Sequence, residues 1–192
     1  MIKNLSDSII YVGADDHDLD LFEGEYIVPN GMAYNSYVIR DDKTAVMDAI
    51  DQAKIDEWLD NIKTVLGDKS RDYLIVQHME PDHSAGIKAF AEKYPQAVLI
   101  VNKKTIKFLD QFFPGEEFHV QEVKNGEILD LGKHKLNFLF APMVHWPEVM
   151  MSYESEEKVL FAADAFGKFG AIDTDEDWAC EARRYYSNIV GR

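Results

Sequence analysis

The chain has 192 residues, 46% hydrophobic, 12% aromatic and 29% charged, which excludes disordered, collagenous and coiled-coil classes and predicts one domain with its own apolar core. Against 35 acidic side chains stand 20 basic ones, a net charge of −15; no local basic patch relieves it, so nucleic acid and anionic membrane surfaces are excluded as partners. The single cysteine, Cys180, excludes an internal disulfide framework, and with neither a signal-peptide core nor an apolar run long enough to span a membrane the expected compartment is the cytoplasm.

Short runs rich in β-branched and aromatic residues, bounded by Gly, Asp, Asn or Pro, predict strands at 8–12, 25–28, 34–40 and 44–49. A helix follows over 54–66, where Ile55, Trp58, Leu59, Ile62 and Leu66 recur at three- and four-residue spacing. Strand 73–76, helix 84–94, strand 97–101 and helix 105–113 then alternate. Strands 118–123, 135–140, 149–153 and 159–162 come next. The last element is an amphipathic helix over 173–189, with Asp173 or Thr174 as its cap. This order predicts a layered α/β fold with a mixed sheet or two sheets.

One segment concentrates the chemistry. Gln77-His78-Met79-Glu80-Pro81-Asp82-His83-Ser84 leaves an apolar strand and enters a helix, placing two imidazoles and two carboxylates within six positions. Ligand sites of α/β sheets gather at such strand ends. In extended backbone alternate side chains share a side, so His78, Glu80 and Asp82 are expected to converge, with His83 across the turn. Mixed nitrogen and oxygen donors suit iron, manganese or zinc, and Ser84 is placed to cap the helix. His145 lies between two prolines in Ala141-Pro142-Met143-Val144-His145-Trp146-Pro147. Asp164 ends the apolar run 159–162 in Asp164-Ala165-Phe166-Gly167; its two oxygens could bridge two metals.

Together these motifs resemble the flavodiiron proteins (A-type flavoproteins), a branch of the metallo-β-lactamase-type fold. Glu80, at a position where zinc-binding members of that superfamily carry a histidine, points to this branch. Gly31-Met32-Ala33-Tyr34-Asn35-Ser36-Tyr37 and Glu181-Ala182-Arg183-Arg184-Tyr185-Tyr186-Ser187-Asn188-Ile189 extend the resemblance over nearly the whole chain. It implies an αββα sandwich and reduction of O2 or NO at two non-haem irons. His78, Glu80 and His145 would hold one iron and Asp82 the other. His83 would either ligate the second iron or stand just outside it, Asp164 would bridge the pair, and Tyr34 and Trp146 would shape the pocket.

Two parts of the family pattern have no counterpart here: a later histidine ligand, and a flavodoxin-like domain that binds FMN. The remaining histidines, His17, His119 and His134, match no motif and are expected at the surface. The resulting expectation is a partial diiron domain over residues 1–192, incomplete at its C-terminus and associating as a homo-oligomer. FMN would come from a partner or a missing domain, and electrons from a flavoprotein or rubredoxin-like donor. Two alternatives stay open: a sensor that binds O2 or NO without turnover, and an inactive fragment. Hydrolysis through a metal hydroxide, as in zinc relatives, is disfavoured by Glu80.

Overall fold

The computed structural model describes residues 1–191. Strands β1 (Lys3–Asn4), β2 (Ile9–Tyr11), β3 (Ala14–Asp16), β4 (Leu21–Phe22), β5 (Tyr26–Ile27), β6 (Met32–Tyr34), β7 (Tyr37–Ile39) and β8 (Ala45–Met47) form the first third. Helix α1 (Ile55–Leu66), β9 (Tyr73–Ile75), α2 (Pro81–Ser84), α3 (Ile87–Lys93), β10 (Val98–Val101), α4 (Lys103–Phe112) and β11 (Val120–Glu122) alternate through the middle. Strands β12 (Ile128–Asp130), β13 (Lys135–Phe140), β14 (Met150–Glu154) and β15 (Val159–Phe161) precede α5 (Trp178–Tyr185), which closes in a wider turn over Tyr186–Val190.

Both sheet expectations hold. A seven-stranded sheet runs β1-β2-β7-β8-β9-β10-β11, antiparallel up to β8 and parallel from there, and a four-stranded antiparallel sheet runs β12 to β15. The change of sense follows from the connections. Tight turns join the early strands, whereas α1, α3 and α4 carry the chain back for parallel pairing. Along each strand of the large sheet, alternate residues face opposite layers. Ile10, Val38, Val46, Leu74 and Leu99 pack under Trp58, Ile62, Phe90 and Leu109 of the helices. Their neighbours Ile9, Ile39, Met47, Ile75 and Ile100 pack on Leu136, Phe138 and Met150 of the second sheet. Helices, sheet and sheet thus stack in the order expected of an αββα sandwich, while Leu139 and Leu160 of the second sheet are exposed.

Several local expectations are corrected. The run 34–40 divides between two sheets, because Tyr34 pairs with Ala14 while Tyr37 pairs with Tyr11 and Met47. The helix expected over 84–94 breaks into α2 and α3 around Gly86, where an added Cβ would meet Trp58 Cζ3 at 2.9 Å. Ser84 caps neither piece; its hydroxyl donates to the Met79 carbonyl at 2.9 Å. The last helix starts later than expected, capped by Asp177, whose Oδ1 accepts from Ala179 N and Cys180 N at 3.0 and 3.2 Å. His134 is buried rather than on the surface, its Nδ1 3.1 Å from the equally buried Glu154. His17 and His119 are exposed. Among the described residues no helix is long and apolar enough to cross a membrane.

Candidate metal centre

The C-terminal end of β9 delivers the first donors. Val76 still pairs with β10 through its N–H to Ile100 O at 3.0 Å; beyond it the chain turns under the loop that follows β13. Glu148 from that loop is buried, and its Oε1 accepts from Met79 N at 2.9 Å and from His78 Nδ1 at 2.8 Å. With Nδ1–H engaged, His78 turns Nε2 to the interior, the arrangement by which an outer carboxylate fixes the tautomer of a histidine when it ligates a metal. His78 Nε2 lies 3.4 Å from Glu80 Oε2 and 3.1 Å from Asp164 Oδ2. His145 Nε2 stands 2.9 and 3.3 Å from the same two oxygens. These four residues offer ligand atoms all within 4.8 Å of one another.

A second group adjoins the first. Pro81 opens the single turn of α2, which swings Asp82 away from His78 and Glu80 and beside His83. The expected three-residue convergence on one side is corrected accordingly. His83 Nε2 lies 3.0 Å from Asp164 Oδ1 and 3.6 Å from Asp82 Oδ2, so Asp82, His83 and Asp164 form their own cluster. Asp164 belongs to both: Oδ2 faces the first group and Oδ1 the second. Tyr185 from α5 donates its hydroxyl to Oδ1 at 2.6 Å and so fixes the carboxylate plane.

Behind His83 stands Asp48, with Oδ2 3.6 Å from Nδ1. Asp48 has a positive φ of 53° and is pinned by bonds from Gln77 N and Nε2 at 2.7 and 3.2 Å. A cavity of about 30 Å3, room for a water-sized group, lies among Tyr34, Asp82, His83, Asp164 and Tyr185. Trp146 stands edge-on to His78 with ring centres 5.3 Å apart. Tyr34 and Trp146 therefore both wall the site.

The charge balance is tight. Burial opposes charging of His78, yet the neighbouring carboxylates of Asp164, Glu148 and Glu80 overcome it and hold the imidazole well above its ordinary range. His83 behaves likewise: burial opposes, and Asp82 and Asp164 prevail. His145 rises to about 9 against its burial through the nearby carboxylates of Asp164 and Glu80. In return Glu80, despite burial, falls to about 2 through His145 and His78, and Asp164 falls well below the carboxylate range through His83 and its other imidazoles. Burial, with Asp164 and Glu80 close by, lifts Asp82 to about 7. Glu23, at the β4–β5 turn, is raised to about 8 by burial and by Glu80 close to it.

The residues present fit a metal pair. His78 Nε2, Asp82 Oδ1, His83 Nδ1 and Asp164 Oδ2 are all buried without a hydrogen-bond partner, a concentration of unmet polar atoms that calls for a ligand. Imidazole and carboxylate donors suit iron, manganese or zinc. In their place, protons held on the imidazoles balance the carboxylates. Glu148, Asp48, Tyr185 and Glu23 escaped the sequence reading. Glu148 had a signal, a carboxylate three residues past His145; the others lie far along the chain from the residues they touch.

The model of the ODP family beta lactamase matches residues 32–190. The anaerobic nitric oxide reductase flavorubredoxin of Vibrio vulnificus is 33% identical over 99% of this chain and 40% of its own length. A nitric oxide reductase of Moorella thermoacetica is 34% identical over 97% of this chain and 49% of its own. Among solved structures, rubredoxin oxygen:oxidoreductase of Desulfovibrio gigas superposes with a TM-score of 0.92 at 33% identity, over 99% of this chain and 49% of that one. The flavodiiron protein of Giardia intestinalis gives 0.91 at 28% identity, over 100% and 48%. The chain spans about half the length of the relatives it matches, or less. By fold, by the reach of the family match and by its flavodiiron homologues, this chain belongs to the ODP family of β-lactamase-like proteins.

Proposed function

We propose that the chain is the diiron module of an oxidoreductase that reduces O2, NO or both. The observation that carries this reading is Asp164, one buried carboxylate whose two oxygens face two separate donor groups. His78, Glu80 and His145 would hold one iron, Asp82 and His83 the other, and Asp164 both. An iron pair in this place supplies two redox-active ions with open positions for a diatomic ligand.

The remaining chemistry belongs to the chain. Three carboxylates offset the charge of two cations in a buried pocket, which would otherwise be costly. Glu148 keeps His78 in the tautomer that presents Nε2, Tyr185 orients Asp164, and Trp146 closes the wall beside His78. The relatives named for nitric oxide and for oxygen reduction support this substrate class. Electrons would come from a flavin, as FMN in a partner or in further sequence, or from a rubredoxin-like donor. Assembly as a homo-oligomer is supported by the exposed apolar side chains of Phe166, Trp178 and Tyr186. A cytoplasmic setting is supported by Cys180, free and exposed.

The test is metal analysis of protein purified anaerobically without added metal. About two irons per chain are expected, as a two-metal site requires, and Asp164→Ala should lose both. Zinc instead of iron, or full iron content in Asp164→Ala, overturns the reading.

A further inference from the structure

Outside the paired centre, the described residues bring together one more group able to hold a cation. It consists of Asp15, His17 and Asp173, whose ligand atoms all lie within 4.8 Å of one another. Local backbone explains the first two. Along β3 and the residue that follows it, alternate side chains face opposite ways. Asp16 turns inward, where its Oδ2 accepts from the Tyr34 hydroxyl at 3.3 Å and its Oδ1 lies 3.5 Å from Lys54 Nζ. Asp15 and His17 therefore share the outward side. The third donor arrives from 156 residues beyond His17. Met32 bridges to Gly170, Ala171 N donates to Asn30 O at 3.1 Å, and Ile172 N donates to Asp15 Oδ1 at 2.9 Å. These ties lay the segment 170–173 beside β3 and set Asp173 Oδ1 and Oδ2 at 3.0 and 3.1 Å from His17 Nε2.

The group lacks a positive charge. Asp15 has committed one oxygen to Ile172, and the other, Oδ2, is buried with no hydrogen-bond partner. An ionised carboxylate only accepts, so a buried, unmet oxygen calls for a donor or a cation. Among the described residues no lysine or arginine pairs with Asp15 or Asp173; the one ion pair that either makes is that of Asp173 with His17. Two carboxylates and one imidazole match a doubly charged ion in charge and zinc in donor type. Zinc bonds of about 2.0–2.2 Å, set tetrahedrally, hold ligand atoms roughly 3.3–3.6 Å apart. The side chains of His17 and Asp173 are 49% and 48% exposed, which leaves them free to close the present spread.

We propose that Asp15, His17 and Asp173 bind a divalent cation of the zinc class, with a fourth position left to water. The ion clips the segment 170–173, which leads from Asp164 towards α5, onto β3, and its binding adds to the stability of the folded chain. This site shares no residue with the paired centre and does not depend on the reading of that centre as a reductase.

The experiment loads chelator-treated full chain with zinc chloride, removes unbound metal by gel filtration and counts zinc per chain by mass spectrometry. His17→Ala should hold a single ion fewer than wild type. In an Asp164→Ala background, where the paired centre is disabled, the same His17→Ala change should again remove a single ion, and with it the rise in melting temperature that zinc produces. Equal zinc content with and without His17, in both backgrounds, overturns the proposal and leaves an exposed His17–Asp173 pair with water on Asp15. Asp164 is buried, so a second reading uses wild type alone. The ring nitrogens of His17, identified by the signals that His17→Ala removes from the nitrogen-15 spectrum, should shift on zinc addition, and Asp173→Asn should abolish the shift. Unmoved His17 signals overturn the proposal whatever becomes of the Asp164 variant. The readout is a difference at His17, so its failure is distinct from failure of the iron analysis.

Discussion

Glu148 gives the sharpest test of how the centre is built. Glu148→Ala removes the acceptor of two bonds, at 2.8 Å from His78 Nδ1 and 2.9 Å from Met79 N, in a fully buried place. Each bond to a charged acceptor contributes about 1.5–3 kcal/mol, and each buried donor left bare costs about 1–3 kcal/mol. These are two faces of one loss, so the expected destabilisation is about 3–5 kcal/mol, the range for breaking a buried ion pair. Glu148→Gln keeps the accepting oxygen and the shape but gives up the charge; about 1–2 kcal/mol is expected, the difference between charge-assisted and neutral bonds. Urea unfolding of chelator-treated protein reads both values. Metal affinity, measured by competition with a chromophoric chelator, should fall about 10–100-fold in the alanine variant, the usual effect of losing the carboxylate behind a ligating histidine. An alanine variant within about 1 kcal/mol of wild type, with unchanged metal affinity, would falsify the claim that Glu148 sets the tautomer of His78.

Other outcomes follow from the same geometry. Tyr185→Phe removes the donor at 2.6 Å from Asp164 Oδ1 and should cost about 1.5–3 kcal/mol while weakening metal retention; unaltered retention would show that Asp164 needs no such anchor. In metal-free protein, His145 at about 9 exceeds its unfolded value, so its contribution is full below about pH 6.5 and is lost as pH rises through about 9. Asp82, raised to about 7, contributes fully only below about pH 4 and loses its share as pH rises through about 7, before the alkaline range is reached. Glu80, lowered to about 2, contributes above about pH 4.5 and loses its share as pH falls through about 2. Urea midpoints in the presence of chelator should therefore decline from neutral towards pH 9, whereas metal affinity should rise over that range as protons leave the ligands; a flat apo profile would contradict the proton-for-metal balance. Gly86→Ala drives a methyl to 2.9 Å from Trp58 Cζ3 and should destabilise by about 1–3 kcal/mol, the range for overpacking a tight core, in the same urea assay.

Much of this architecture is legible in the sequence because its signals are local. The strand at 135–140 and the helix ending at Leu66 lie where periodicity puts them. The donors of 77–84 announce themselves by density, and motif spacing supplies His145 and Asp164. What is not legible depends on tertiary position. His134 matches no motif and so reads as a surface residue, and only the fold presses it against Glu154. Asp173 and Asp177 are equally good caps by chemistry; the backbone chooses the later one. Asp82 leaves the side of His78 because Pro81 starts a helical turn, which strict alternation ignores. Asp48, 35 residues before His83, has no marker at all, and Tyr185, 21 residues after Asp164, lies in a motif of the resemblance that gives it no role.

The centre takes His78, Glu80, Asp82 and His83 from the turn after the large sheet's β9, and His145 and Asp164 from the loops after β13 and β15, which leave the second sheet at the same end. Glu80 and His145 stand 65 residues apart in the chain, and His83 and Asp164 stand 81 apart. Long separations are closed late in folding, since the loop entropy is paid before the contact rewards it. Timing is therefore written into the ligand set: the near donors gather as soon as β9 and α2 form, and the distant two arrive only when the sheets dock. Metal uptake is then expected to report that docking, and during refolding a metal-dependent signal should trail the return of helix.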